Sequence, residues 1–129
     1  PVADLLNRIR QPFNVSRVAL AAAAAALNDS DFIEKTRLMN DEQMHWLEKQ
    51  FDALGLGFIK SHANFIMVEI AVEMEDITAA SIHQALLEQG VIVRPLEGYG
   101  LPNWLRITVG VAEDNMRLID TLRSILTDD

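Results

Sequence analysis

The 129-residue chain contains no cysteine. That excludes a disulfide framework, a thiolate nucleophile and a cysteine-ligated zinc site, and it fits a reducing cytoplasm. Basic residues are few: 11 Lys and Arg stand against 19 Asp and Glu, giving a formal net charge of −8. No clustered stripe of lysine and arginine is available to track a phosphate backbone, and an anionic membrane surface is disfavoured on the same ground. Neither nucleic acid nor a membrane is therefore expected as a partner. Long hydrophobic runs are missing too. The one stretch resembling a targeting signal, RVALAAAAAALND, is internal, ends in Asn28 and Asp29, and falls short of the roughly 20 apolar residues a bilayer-spanning helix needs.

What remains is a half-apolar composition, with 50% apolar and 23% charged residues, suited to one globular domain with a core of its own. The chain opens on Pro1, and PVADLLNRIRQPFN reads as the middle of a helix, with Leu5, Leu6 and Ile9 at helical spacing. This start reads as a fragment of something longer. Pro12 is expected to break that helix, because it lacks an amide donor and restricts Gln11. Asn14 or Ser16 then caps an alanine-rich helix to Leu27, a run of high intrinsic propensity and no chemistry of its own.

A long amphipathic helix follows over roughly Asp31 to Leu54, with Phe32, Leu38, Met39, Met44, Leu47, Phe51 and Leu54 as its apolar stripe and Gly55 and Gly57 as its stop. The pattern then turns extended: FIKSH and the nearly continuous apolar NFIMVEIAV read as strands. Thr78 caps a helix that turns Ile82, Ala85 and Leu86 inward and ends at Gly90, VIVRP and WLRITVG read as two more strands, and a last helix from about Ala112 to Leu126 presents Met116, Ile119, Leu122 and Leu126 to the core. The expected fold is α+β: a small mixed or antiparallel β-α-β-β-α sheet with helices packed on one side, preceded by the alanine-rich and long amphipathic helices.

Catalytic motifs are scarce. Ser16, Ser61, Ser81 and Ser124 lack a G-x-S-x-G elbow, and His45, His62 and His83 have no metal-ligand spacing. Neither phosphate-binding glycine motif occurs, namely G-x-x-x-x-G-K-[ST] and G-x-G-x-x-G. The two arginines of VIVRPLEGYGLPNWLRITVG are different. Arg94 stands at the exit of one apolar strand, and Arg106 lies mid-strand, where Leu105, Ile107 and Val109 point to one face and Trp104, Arg106 and Thr108 to the other. A guanidinium in such a place needs acidic partners or a ligand, because an unpaired buried charge costs several kcal/mol. Its planar fork matches a carboxylate or a phosphate. On the residues alone both readings stay open: a structural pair with Glu69 or Glu97, or an anion site.

The stretches RQPFNVSRVALAAAAAAL, LGLGFIKSHANFIMVEI and, most specifically, GVIVRPLEGYGLPNWLRITVGVAEDNMRLIDTL resemble the C-terminal part of histidinol-phosphate aminotransferases, which are pyridoxal-phosphate enzymes of fold type I. The resemblance covers essentially the whole chain in order. It implies that residues 1–57 are leading helices and 58–129 the small C-terminal domain, and that the large cofactor-binding domain is absent. It implies a transfer of an amino group between L-histidinol phosphate and 2-oxoglutarate in histidine biosynthesis, by a cytoplasmic homodimer acting on small molecules. Arg106 would bind the substrate anion and Arg94 would help receive it. Asn14 and Tyr99 match family positions at the domain interface and in the loop, without a catalytic role. The cofactor-bearing lysine belongs to the large domain, and none of Lys35, Lys49 or Lys60 stands in a matching motif. The chain alone is thus expected to be inactive and to hold no cofactor. Alternatives are an aromatic amino acid aminotransferase, a threonine-phosphate decarboxylase of the same family, and a free-standing anion-binding module.

Overall fold

The computed structural model describes residues 2–10, 13–70 and 77–127. The chain falls into two compact units, residues 1–36 and 37–129. In the first, helix α1 spans Val2–Ile9 and α2 spans Arg17–Ala26, and α3, Ser30–Ala53, begins. Pro12, the expected helix breaker, lies outside the described residues. Ser16 caps α2, its hydroxyl accepting the Ala19 amide at 3.2 Å. Asp29 caps α3, its carboxylate accepting the Phe32 amide at 3.0 Å; each cap satisfies one of the amides a helix start leaves unpaired. No described residue of this unit is buried, and Leu5, Leu6, Ile9, Val18 and Leu20 are all exposed.

The second unit holds the sheet. Its strands are β1 (Gly57–Ile59), β2 (Phe65–Glu69), β3 (Arg94–Pro95) and β4 (Trp104–Thr108), and its further helices are α4 (Ala79–Glu88) and α5 (Ala112–Thr127). The order across the sheet is β1-β2-β4-β3, and every neighbouring pair is antiparallel. Period-two alternation decides the faces. Ile66 and Val68 stand opposite Ile107 and Leu105, and these four are buried with Met44, Leu47 and Phe51 of α3, Ile82 and Leu86 of α4, and Leu118, Ile119 and Leu122 of α5. The helices therefore cover one face of the sheet, as the pattern predicts. The other face carries Phe65, Met67, Trp104 and Arg106, all half-buried.

Local signals set the helix ends. Thr78 and Ser81 form a reciprocal capping box at the start of α4. Gly55 (φ 70°) and Gly90 (φ 74°) take the left-handed conformation just past α3 and α4, as a helix stop requires.

Several elements depart from expectation. VIVRP pairs only through Arg94 and Pro95, because the Val91 amide closes the end of α4 on the Leu86 carbonyl at 2.8 Å instead of joining the ladder. FIKSH contributes only to Ile59, since Ser61 turns the chain by accepting the Ala63 amide. The strand in NFIMVEIAV runs to Glu69, and Ala71 and Val72 lie outside the described residues. The stripe of α3 is buried only from Met44 onward, with Phe32 and Leu38 exposed. In α5 the buried positions are Asn115, Leu118, Ile119, Thr121 and Leu122, and Met116 is exposed.

Candidate anion-binding site

The β3–β4 ladder places the Cα of Arg94 directly opposite that of Arg106. Residues opposed on an antiparallel ladder share a face, with Cβ atoms about 4.5–5.5 Å apart. Two permanent positive charges thus stand side by side on the face of the sheet opposite α4 and α5. Like charges in this position are unfavourable unless a third group intervenes.

Among the described residues no acidic side chain does so. Among the described residues neither arginine forms an ion pair; Glu69 and Glu97, the acidic candidates, are not bonded to them. The Arg106 Nε is buried and has no hydrogen-bond partner. A guanidinium donor withdrawn from water and left unpaired is costly, so Arg106 has the geometry of a site that receives its partner from outside.

Aromatic rings hold both forks. The Arg106 Cζ lies 5.0 Å from the centroid of Phe65, its diagonal neighbour on the β2–β4 ladder. The Arg94 Cζ lies 5.6 Å from the Tyr99 ring, and its Nη2 donates to the Tyr99 hydroxyl oxygen at 2.8 Å. A ring beside a guanidinium attracts the cation, and the N–H groups that are not already donating remain for a ligand. Tyr99 is carried by a 3-10 turn, Glu97–Tyr99, closed by Gly100 at φ 77°. Phe65 was not legible as part of the site in the sequence, because its approach to Arg106 depends on strand register. Tyr99 had a signal, standing five residues after Arg94 between Gly98 and Gly100.

The other chemistry-bearing side chains are used elsewhere. Ser16 and Ser81 cap helices, and Ser61 closes its turn. Among the described residues no three His, Asp or Glu side chains are placed to hold a metal ion. His45 and His62 both line a hollow of about 210 Å³ between α3 and the turn after β1, which Asp41, Glu48 and Lys60 also line. Lys60 thus lies on the α3 side of the sheet, away from Arg106, and Lys35 and Lys49 are exposed on α3.

Residues 1–122 match the family model described as aminotransferase class I and II, and the chain belongs to that family. Within it, the chain is 91% identical over 128 residues to histidinol-phosphate aminotransferase 1 of Psychrobacter arcticus, an alignment covering 99% of this chain and 34% of that protein. The fold matches the crystal structure of the histidinol-phosphate aminotransferase from Clostridium acetobutylicum with a TM-score of 0.76 at 20% identity, over 97% of this chain and 37% of that one. It also matches that of the Sinorhizobium meliloti enzyme in complex with pyridoxal-5'-phosphate, with a TM-score of 0.68 at 24% identity, over 95% of this chain and 34% of that one. The chain spans about a third of the length of the curated relative it matches.

Proposed function

We propose that this chain is the C-terminal substrate-binding part of a pyridoxal-phosphate-dependent histidinol-phosphate aminotransferase, which transfers an amino group between L-histidinol phosphate and 2-oxoglutarate in histidine biosynthesis. The observation that carries the reading is the Arg94–Arg106 pair, opposed on one face with no acidic partner among the described residues and with a buried Arg106 Nε that has no hydrogen-bond partner. The name of the relative at 91% identity supports this substrate over an aromatic amino acid, over threonine phosphate and over a free-standing binding module. The same reading assigns residues 58–129 to the small domain and makes the enzyme a cytoplasmic homodimer, as the family resemblance implies.

The residues of this chain do not fit the cofactor itself. Of the two lysines in residues 37–129, Lys49 is exposed on α3 and Lys60 lies on the side of the sheet opposite Arg106. When bound by the rest of the protein, pyridoxal phosphate supplies the electron sink for the reaction. The work of this chain is to bind and orient the substrate. Arg106, steadied on Phe65, presents its fork to one edge of the substrate anion, and Arg94 adds a second fork from the neighbouring strand. Two positive groups together suit a phosphate dianion, and either one suits a carboxylate of the oxo acid. Fixing the anion at one end restricts the rotation of the reacting end, which is how a positioning contact at a distance lowers a barrier.

The test is to compare turnover of L-histidinol phosphate and of phenylalanine, each with 2-oxoglutarate, by the full-length enzyme carrying this chain. A clear preference for histidinol phosphate is expected. A preference for phenylalanine overturns the assignment.

A further inference from the structure

We propose that Tyr99 is a positioning and specificity residue of this site, holding the Arg94 guanidinium through its phenol oxygen while its own O–H donates to the bound anion and favours a phosphate over a carboxylate. The inference rests on the reading of Arg94 and Arg106 as the substrate-anion site.

Arg94 needs such a partner. It is exposed, at the edge of the sheet, in a strand of only two residues, and a long side chain there loses much rotamer freedom on binding unless something already restrains it. Tyr99 is the restraint: its hydroxyl oxygen accepts from Arg94 Nη2 at 2.8 Å while its ring lies 5.6 Å from Cζ. The turn that carries Tyr99 is itself held to the sheet. The Tyr99 amide donates to the Leu96 carbonyl at 2.9 Å and the Leu96 amide to the Trp104 carbonyl at 3.1 Å, tying the turn to the start of β4.

The direction of the hydrogen bond matters. Arginine has donors only, so the phenol oxygen is the acceptor here and its own proton remains to be donated. The Tyr99 side chain bonds to no other described residue and is 67% exposed, so that proton is available to a ligand beside Arg94. A phosphate dianion has three terminal oxygens to receive the two forks and the hydroxyl. A carboxylate has two oxygens, which the forks alone can occupy, so the hydroxyl contributes more to phosphate binding.

The experiment uses the full-length enzyme with Tyr99→Phe, which removes the oxygen and keeps the ring. The KM for L-histidinol phosphate is expected to rise about tenfold, the effect of losing one charge-assisted hydrogen bond, with kcat barely changed and a smaller rise in KM for 2-oxoglutarate. Combining Tyr99→Phe with Arg94→Gln should cost less than the product of the two single effects, because the part of the hydroxyl's role that holds the guanidinium is already lost in Arg94→Gln, while its direct bond to the anion is still removed. An unchanged KM for histidinol phosphate overturns the proposal, as does an equal rise for 2-oxoglutarate or full additivity in the double variant. If the unsubstituted enzyme does not turn over histidinol phosphate, the assigned reaction fails. Calorimetric binding of inorganic phosphate then decides Tyr99 separately: weaker binding by Tyr99→Phe supports its role, and equal binding refutes it.

Discussion

The ring of Phe65 lies against the guanidinium of Arg106, 5.0 Å from centroid to Cζ, although the two residues belong to different strands and stand one diagonal apart on the ladder. The contact shields one face of the guanidinium and helps bury its Nε. Phe65→Leu keeps apolar bulk and loses the π face. Cation–π contacts contribute about 0.5–2 kcal/mol, so anion affinity should fall by a factor between about 2 and 30. Inhibition of the full-length enzyme by inorganic phosphate measures it, and an unchanged inhibition constant would show that the ring only fills space.

Arg106 itself separates binding from stability. Arg106→Met removes one of two opposed like charges and an unsatisfied buried donor. Urea unfolding without added anion should show stability held or raised by up to about 1 kcal/mol, while the stabilisation given by phosphate over chloride disappears. A loss of stability would mean that the arginine is structural. Arg106→Lys keeps the charge without the fork and should lower kcat/KM for both the amino donor and the oxo acid.

Asn115 is 2% exposed and fully bonded: its oxygen accepts the Gly110 amide at 3.0 Å, and its nitrogen donates to the Gly110 carbonyl at 2.9 Å and to Gln43 Oε1 at 3.0 Å. This clasp joins the exit of β4 to α5 and α3. Asn115→Leu matches its size but strands those groups, and a loss of about 1–3 kcal/mol for leaving buried polar groups unpaired is expected in urea unfolding. Gly110→Ala should also destabilise, since a Cβ there would meet the Asp114 Cβ at 3.1 Å.

The capping box of α4 offers a smaller effect. Thr78 accepts the Ser81 amide at 3.1 Å, and Ser81 accepts the Thr78 amide at 2.9 Å. Thr78→Ala should cost about 1 kcal/mol and Thr78→Ser very little. Equal losses for the two variants would assign the effect to the threonine methyl.

The helix ends were legible because they are written locally, in Ser16, Thr78, Gly55 and Gly90. So was the facing of β4, since alternation over five residues leaves little choice. In α5 Ile119 and Leu122 face the core as read, but Met116 was misplaced because hydrophobicity alone favours it over Asn115, and a buried asparagine becomes sensible only once Gly110 and Gln43 are known to surround it. Each arginine stood out singly as a charge in an apolar run. That they face one another depends on the β3–β4 register across an eight-residue connection, residues 96–103, and no local pattern encodes that.

The sheet closes on two very short margins, three residues in β1 and two in β3, and the second pairs a charged side chain with a proline. An open margin is where a foreign strand adds, and brevity, charge and a missing amide each discourage it. The placement of Arg94 and Pro95 thus has a bearing on solubility: residues that set a guanidinium opposite Arg106 also blunt the border where copies of the protein would otherwise stick together.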